Sequence, residues 1–203
     1  MSARKTVVID YQTGNLSSAC KSLRAVGAEL LVTQRPEDVK SAARIVLPGV
    51  GHFASTERLM TSGIGDALRE RVAEGVPFLG ICVGLQWLFA GSTEAPEIHG
   101  LGIFPEACEH FPVGVKSPHV GWNSLELVRE SQLLRDLPAA PCVYFTHSYR
   151  APVINATVAV THYGDLFSAV IERDNWMAVQ FHPEKSGDVG LKILENFMRV
   201  SGC

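Results

Sequence analysis

The stretch that decides the fold of this 203-residue chain is Leu79-Gly80-Ile81-Cys82-Val83-Gly84. An apolar run leads into the cysteine and a segment of helical character follows it. This is the strand–turn–helix arrangement that holds a nucleophile on a sharp turn. The small neighbours of Cys82 let other segments approach the turn, and the amides and dipole of the following helix favour a thiolate. Cys82 is therefore a candidate nucleophile at the end of a strand.

The segments around this stretch predict an α/β fold. Up to residue 90, short apolar runs alternate with helical patterns, a rhythm typical of a parallel sheet with helices on both faces. The predicted strands are 6–10, 29–33, 44–47 and 77–81, and the predicted helices are 16–26 (with Asn15 as its N-cap), 53–62, 65–74 and 83–89. Later β patterns lie at 120–128, 142–149, 157–161, 167–172 and 177–181, before a helical pattern at 189–200. We expect an open, mostly parallel central sheet with helices on both faces and antiparallel β additions in the second half, in one domain over 1–203.

Composition and charge exclude several classes of protein. The net charge is −3, 19% of the residues are charged and no basic block occurs, which argues against binding to nucleic acid. No apolar stretch is long enough to span a bilayer, so no membrane association is expected. Residues 1–5 lead directly into the first apolar run without the features of a signal peptide, which predicts a cytoplasmic protein.

The cysteines and histidines indicate neither disulfides nor a metal site. Five cysteines, an odd number without a C-x-x-C pair, stand at positions 20, 82, 108, 142 and 203. Several cysteines and tryptophans are expected to be buried in the core, namely Cys20, Cys108, Cys142, Trp87 and Trp122. The histidines match no standard set of ligand spacings, including His52, His119 and His147. We therefore expect no metal and no cofactor.

A histidine and a carboxylate stand two positions apart in Gln180-Phe181-His182-Pro183-Glu184. On an extended chain these two positions share a face, and Pro183 excludes a helix interior and favours extended backbone. Glu184 can then orient His182, which would take the proton of Cys82 and later deliver it to a leaving amine. The alternative is a structural histidine that pairs with a neighbouring acid. Because the nucleophile turn is also present, we favour the catalytic interpretation.

A second loop with candidate chemistry is Leu47-Pro48-Gly49-Val50-Gly51-His52-Phe53. Its glycines follow a predicted strand, and such a loop can turn a backbone N–H toward a developing oxyanion. The N–H of Val83 would supply a second donor. An ordinary strand-to-helix turn would use glycine in the same way. A phosphate-binding loop is a third interpretation, but the chain contains neither G-K-[ST] nor G-x-G-x-x-G.

Several motifs together resemble one family over essentially the whole chain. The class I, triad-type glutamine amidotransferases have motifs similar to Gly80-Ile81-Cys82-Val83-Gly84-Leu85-Gln86 and Phe181-His182-Pro183-Glu184-Lys185-Ser186. More narrowly, the chain resembles the glutaminase subunits of imidazole glycerol phosphate synthase. This narrower resemblance rests on Asp10-Tyr11, Gly14-Asn15-Leu16, Pro48-Gly49-Val50-Gly51, Pro118-His119-Val120-Gly121-Trp122-Asn123 and Tyr144-Phe145-Thr146-His147-Ser148-Tyr149. The positions that depart from the usual pattern are Gln12, His52 and Glu106.

The resemblance implies an activity and a partner. Glutamine would be hydrolysed to glutamate and ammonia through a cysteine thioester, and a separate (β/α)8 cyclase subunit would use the ammonia. That subunit makes imidazole glycerol phosphate and an aminoimidazole carboxamide ribotide in histidine biosynthesis. Cys82 would be the nucleophile, His182 the general acid and base, and Glu184 its orienter. By the same resemblance, oxyanion and substrate contacts fall on Val50, Gly51, Val83, Gln86, Glu94, Ser148 and Tyr149. Positions facing the partner and the ammonia exit fall on Asn15, Trp122, Asn123, Tyr144 and Lys185.

Three alternatives stay open at the level of sequence. A glutaminase of another synthase, such as those of pyridoxal phosphate or anthranilate synthesis, would share the active-site motifs. The stretch around Trp122 argues against both, and the Gly-Gly-Glu-Ser segment of the pyridoxal type does not occur. A redox or stress protein could carry a cysteine on a similar turn, which His182 and Glu184 argue against. The third alternative is a catalytically silent regulatory module that binds the cyclase.

Overall fold

An eight-stranded sheet forms the centre of the structure, a computed structural model that describes residues 5–12 and 14–201. The predictions for residues 1–4 and Cys203 lie outside this part of the chain. In chain order the strands are β1 (Thr6–Ile9), β2 (Leu30–Thr33), β3 (Arg44–Gly49), β4 (Phe78–Cys82), β5 (Phe89–Ser92), β6 (Phe104–His110), β7 (His119–Ser124), β8 (Glu126–Leu127), β9 (Cys142–His147), β10 (Tyr149–Arg150), β11 (Thr157–Tyr163), β12 (Asp165–Arg173) and β13 (Trp176–Val179). The helices are α1 (Leu16–Ala25), α2 (Pro36–Lys40), α3 (Glu57–Thr61), α4 (Ile64–Ala73), α5 (Val83–Gln86) and α6 (Gly187–Arg199), with 3-10 turns at Phe53–Thr56 and Pro183–Lys185.

The central sheet has the strand order β2-β1-β3-β4-β13-β12-β11-β8. The first five strands in this order are parallel to one another, and the last three are added antiparallel. A three-stranded sheet, β10-β6-β5, and a two-stranded sheet, β7-β9, lie outside it. The prediction of a mostly parallel sheet with antiparallel additions in the second half is therefore confirmed.

Helices cover both faces of the central sheet. Successive side chains of a strand point to opposite faces, so each inner strand contributes to two separate cores. Val7 of β1 packs in the core that also contains Val39 of α2. Its neighbour Val8 packs in the opposite core, with Leu23 of α1 and Phe197 of α6. Burial on both faces explains why the inner strands are continuous apolar runs.

The carboxyl ends of three neighbouring parallel strands meet at one edge of the sheet. There, β3 leads into loop 50–52, β4 ends at Cys82, and β13 leads into the segment that contains His182. The register of β3 and β4 places Gly49 directly opposite Cys82. Ligands of open α/β sheets bind beyond these ends. The topology therefore brings together motifs that are far apart in the sequence.

Some predicted elements have other boundaries in the structure. The predicted helix 53–62 divides into a 3-10 turn and α3. The predicted helix 83–89 ends at Gln86, because Phe89 begins strand β5 and packs against Phe104 with ring centroids 5.3 Å apart. The predicted strand 120–128 divides between β7 and β8, which belong to different sheets. The predicted strand 142–149 likewise divides between β9 and β10, which belong to different sheets. Helix α2 and strands β5 and β6 have no counterpart among the predicted elements, while the remaining elements agree to within a few residues.

Three side chains differ from their predicted environments. Asn15 occupies the N-cap position of α1 but makes no capping hydrogen bond, since its amide turns toward Glu184. Cys142 is exposed at the start of β9, whereas Cys20 and Cys108 are buried as predicted. Trp122 is 57% exposed, in contrast to the buried Trp87. The cause is the same at both exposed sites: β7 and β9 form a sheet of only two strands, and its outer face is not covered.

The described cysteines are free thiols. Within residues 5–12 and 14–201, no helix is long and apolar enough to cross a membrane. In the same residues, no group of three or more His, Cys, Asp or Glu side chains could hold a metal ion.

Candidate active site

Cys82 ends strand β4 and precedes α5 on a strained turn. Its backbone has φ 54° and ψ −104°, a combination that residues other than glycine rarely adopt and that costs about 1–3 kcal/mol. Close packing holds this turn in place, because a Cβ at Gly84 would overlap the carbonyl oxygen of Leu47 in β3. The structure therefore contains the strand–turn–helix arrangement that the sequence predicts.

His182 and Glu184 form a buried pair just beyond β13. Nδ1 of His182 lies 2.7 Å from Oε1 of Glu184, and each side chain is only 1% exposed. The predicted extended backbone is wrong beyond His182, because Pro183–Lys185 is a 3-10 turn. The fixed φ of Pro183 suits the first position of such a turn. The tight turn still brings the two side chains together.

The turn that carries His182 is tied to strand β9 and helix α1. The N–H of His182 donates to the carbonyl oxygen of Tyr144 at 2.9 Å. The hydroxyl of Ser186 accepts from the N–H of Tyr144 and donates to the carbonyl oxygen of His182, at 2.9 and 2.7 Å. Asn15 donates to the same oxygen of Glu184 that holds the imidazole. These contacts fix the orientation of the histidine ring.

The protonation of His182 depends on Cys82. Burial lowers the pKa of His182, but the negative charge of a Cys82 thiolate, contact with that sulfur and the pairing with Glu184 together raise it to about 10. Nε2 of His182 is buried and makes no regular hydrogen bond to a described residue. This nitrogen can therefore exchange a proton with the sulfur or with a bound molecule. Proton transfer from Cys82 to His182 would generate the thiolate, the reactive form for acyl transfer.

A pocket of about 250 Å³ borders Cys82. Drug-sized ligands occupy cavities of roughly 300–1,000 Å³, so this pocket suits a smaller molecule such as an amino acid. Its lining includes all the residues that the family resemblance assigns to the oxyanion and the substrate, namely Val50, Gly51, Val83, Gln86, Glu94, Ser148 and Tyr149. The other lining residues are Pro118, Thr146 and His147, for which the sequence indicates no role.

The polar groups of the pocket are held in place by the protein. Oε2 of Glu94 accepts a hydrogen bond from the N–H of Phe53 at 2.7 Å, which ties Glu94 to the end of loop 50–52. Gly51 in this loop has φ 105°, a conformation that favours glycine. The N–H of Val83 belongs to the first turn of α5, where backbone donors have no partner within the helix. The loop and the helix start both line the pocket beside Cys82.

A buried pair of neutral histidines adjoins the pocket. Nε2 of His147 lies 3.3 Å from Nδ1 of His119, and Nδ1 of His147 lies 2.9 Å from the carbonyl oxygen of Tyr149. Burial lowers the pKa of His147 to about 3 and that of His119 to about 4. Because a carbonyl oxygen can only accept, His147 carries its proton on Nδ1 and His119 donates to its Nε2. The pair supports the strand that ends at the pocket.

Most residues assigned to a partner surface lie near the histidine turn. Trp122 and Tyr144 are opposite each other in the β7–β9 register, with ring centroids 6.1 Å apart. Nζ of Lys185 lies 5.8 Å from the centre of the Tyr144 ring. Asn15 joins this group through its bond to Glu184. Asn123 does not join this group, because its amide donates to the carbonyl oxygen of His162 at 3.1 Å.

The positions that depart from the family pattern are not among the lining residues of the pocket. Nδ1 of the exposed His52 accepts a hydrogen bond from the N–H of Ala54 at 3.2 Å and so caps the following 3-10 turn. Gln12 accepts a hydrogen bond from Arg58. Glu106 is exposed on β6. These departures leave the contacts of the triad intact.

Known proteins are similar to this chain in sequence and in fold. The family model described as Glutamine amidotransferase class-I matches residues 7–200, so the chain belongs to the class I glutamine amidotransferases. The solved structure of PurLQS from Thermotoga maritima has the same fold, with a TM-score of 0.74 at 16% identity over 96% of this chain and 97% of that one.

The more similar relatives identify the family within this class. The chain is 48% identical over 198 residues to the imidazole glycerol phosphate synthase subunit HisH of Acaryochloris marina, covering 94% of this chain and 92% of that protein. It is 45% identical over 194 residues to the same subunit of Methanothermobacter thermautotrophicus, covering 95% and 97%. The chain is therefore a member of the HisH family.

Proposed function

We propose that residues 1–203 form one glutamine amidotransferase domain, the glutaminase subunit of an imidazole glycerol phosphate synthase that acts in histidine biosynthesis. One observation carries the proposal: at the ends of β3, β4 and β13, a glycine loop and a thiol line one small pocket, and a carboxylate-paired imidazole contacts the thiol. Membership of the HisH family supports glutamine as the substrate and a cyclase as the partner.

The first half of the reaction forms a thioester. The thiolate of Cys82 attacks the side-chain carbonyl carbon of glutamine, and the resulting oxyanion accepts hydrogen bonds from backbone N–H groups of loop 50–51 and Val83. One such donor contributes about 3–4 kcal/mol at comparable sites. The imidazolium of His182 gives its Nε2 proton to the amide nitrogen, which leaves as ammonia. The products of this half are a glutamyl thioester on Cys82 and a neutral imidazole.

The second half of the reaction restores the enzyme. Neutral His182 takes a proton from water, and the hydroxide attacks the thioester carbonyl. The tetrahedral intermediate then expels the thiolate of Cys82, which restores the imidazolium–thiolate pair and leaves a carboxylic acid that gives its proton to water and departs as glutamate. Glu184 keeps the imidazole in one orientation in both halves. The side chains of Gln86 and Glu94 hold the amino-acid end of glutamine.

A partner is needed to keep the ammonia neutral. Ammonia that reaches bulk water near pH 7 is protonated and ceases to be a nucleophile, so a closed path to a (β/α)8 cyclase preserves its reactivity. The exposed apolar side chains of Val120 and Trp122, beside Tyr144 and Lys185, offer a surface for that partner. We assign Asn15 to the same surface by resemblance; the resemblance also assigns Asn123, but its side chain points to the opposite face of β7, toward the carbonyl oxygen of His162. The free thiols at Cys82 and Cys142 suit a reducing compartment such as the cytoplasm.

A covalent glutamine analogue tests the assignment of the nucleophile. A diazoketone analogue of glutamine should alkylate Cys82, located by peptide mass spectrometry, with a parallel loss of glutaminase activity in the complex with the cyclase. Excess glutamine should slow the alkylation, and Cys142→Ala, which removes an exposed thiol, should not change it. Inactivation that modifies another residue and leaves Cys82 intact would contradict the proposal.

A further inference from the structure

The side chain of Gln180 contacts the nucleophile from inside the protein. Its Nε2 lies 3.7 Å from Sγ of Cys82, and the residue is fully buried. Gln180 directly follows β13, and its own N–H donates to the carbonyl oxygen of Ala169 in β12 at 2.9 Å. Its position is therefore set by the central sheet. No step of the mechanism above uses this side chain.

The orientation of the Gln180 amide follows from a chain of hydrogen bonds. Nε2 of Gln86 donates to the carbonyl oxygen of Tyr149 at 2.8 Å, and this contact fixes the Gln86 amide because a carbonyl oxygen only accepts. The same nitrogen lies 3.4 Å from Oε1 of Gln180, so its second hydrogen is directed at that oxygen. Gln180 consequently presents its NH2 group, and not its oxygen, to the sulfur of Cys82.

We propose that Gln180 is a further catalytic residue, which donates a hydrogen bond to the Cys82 sulfur and, through Gln86, ties the nucleophile to the pocket strand at Tyr149. This inference rests on the proposed function, in which Cys82 is the nucleophile. Hydrogen bonds to an anionic acceptor are stronger than those between neutral groups, so the donor favours the thiolate over the thiol. Besides His182, which also contacts the sulfur, the carbonyl oxygen of Thr146 lies 4.0 Å from it, and this oxygen accepts and cannot stabilise a negative charge.

The same chain of hydrogen bonds links the nucleophile to the substrate side of the pocket. Gln86 is 3% exposed and lines the pocket, and its amide nitrogen is occupied by Tyr149 and Gln180. The oxygen of Gln86 is thereby left to face a donor such as the amino group of glutamine. A change at Gln180 should therefore disturb the sulfur directly and the substrate contact only through Gln86.

Two substitutions separate the donor role from the filling of space. Gln180→Leu removes both polar contacts. Gln180→Glu keeps an acceptor toward Gln86 but replaces the donor beside the sulfur with a carboxylate oxygen. The readout is the rate of Cys82 alkylation by iodoacetamide as a function of pH, with each cysteine peptide resolved by mass spectrometry. The pH midpoint should rise by about one unit in Gln180→Leu and further in Gln180→Glu.

Steady-state kinetics give a second readout. In the complex with the cyclase, kcat for glutamine hydrolysis should fall about tenfold in Gln180→Leu while KM changes less than about twofold. Gln132→Leu is the matched control, since it makes the same change at an exposed position, and neither measurement should move.

The alkylation midpoint of Cys82 in the Gln180 variants decides whether Gln180 acts as a hydrogen-bond donor. An alkylation midpoint that is unchanged in variants with a cooperative thermal transition would show that Gln180 only fills the core. If Gln180→Leu fails to fold, Gln180→Met, which matches glutamine more closely in shape, is subject to the same criterion. The alkylation profile is measured without glutamine, so it tests Gln180 independently of the proposed function. A protein without glutaminase activity would contradict the proposed function and leave the test of Gln180 valid.

Discussion

The charge of His182 depends on the residues that surround it. Burial alone would lower the pKa of His182 and keep the imidazole neutral, but the thiolate and Glu184 reverse this effect. Such charge interactions are strong because little water surrounds the pair to screen them. Asn15 and the backbone of β9 hold the carboxylate and the turn in position. The pKa of His182 is therefore determined by its neighbours rather than by its burial alone.

Removal of the thiol should lower the pKa of His182. In Cys82→Ala the negative charge beside the ring is lost, so the pKa should fall from about 10 by about 1–3 units. The measurement is an NMR titration of the isotope-labelled imidazole. Cys142→Ala should leave the titration of His182 unchanged. A His182 ring that titrates at the same pH with and without Cys82 would show that the two groups do not interact as described.

The roles of residues that stand in short local motifs could be predicted from the sequence. The roles that arise from contacts between distant parts of the chain could not. Cys82 and His182 each stand in a short motif with its own chemical logic. Gln180 belongs to the same motif as His182, yet its role appears only when Gln86 and Cys82 are seen beside it. His147 is a further case, because its neutral state follows from burial against His119.

Helix α5 and strand β3 act as one packed unit at the scale of elements. The backbone of α5 at Gly84 lies so close to Leu47 that no side chain fits between them. Leu47 leads directly into Pro48 and the donor loop 50–51, while α5 begins with Val83. The distance between the two sets of backbone donors therefore depends on this contact.

Gly84→Ala should separate the two elements. The added methyl group would overlap the backbone of β3, so we expect a loss of about 1–3 kcal/mol in the free energy of unfolding and a large loss of kcat. Denaturant unfolding and glutaminase assays measure the two effects. At Gly91 an added Cβ would make only ordinary contact, and Gly91→Ala should stay within about 0.5 kcal/mol of the parent. Equal behaviour of the two variants would contradict the packing account.

The elements that could not be predicted are those that lack a periodic pattern. Residues 83–89 are buried throughout, so they show no polar face that would reveal where α5 ends and β5 approaches. Strand β6 alternates poorly between exposed and buried residues and contains Pro105, which weakens a strand prediction. The inner strands were predictable for the opposite reason, since burial on both faces makes them continuous apolar runs between turn residues.

At the scale of the whole molecule, the active site is a consequence of strand order. Because β3, β4 and β13 are neighbours and parallel, their carboxyl ends bring together groups from three parts of the chain. The uncovered sheet β7-β9 lies on the side of the histidine turn, through Tyr144 and Ser186. A partner that covers this sheet would lie next to the site where ammonia is released.

The proposed function requires Cys82 to generate, from glutamine, the ammonia that a separate cyclase uses. The most direct test is cyclisation by the complete complex with Cys82→Ala, supplied with either glutamine or ammonium salt as the nitrogen source. We expect glutamine-dependent product formation to fall by about a thousandfold or more, as when a covalent nucleophile is removed, while ammonia-dependent formation stays within about twofold of the wild-type complex. Product formation from glutamine at an undiminished rate would contradict the proposed function.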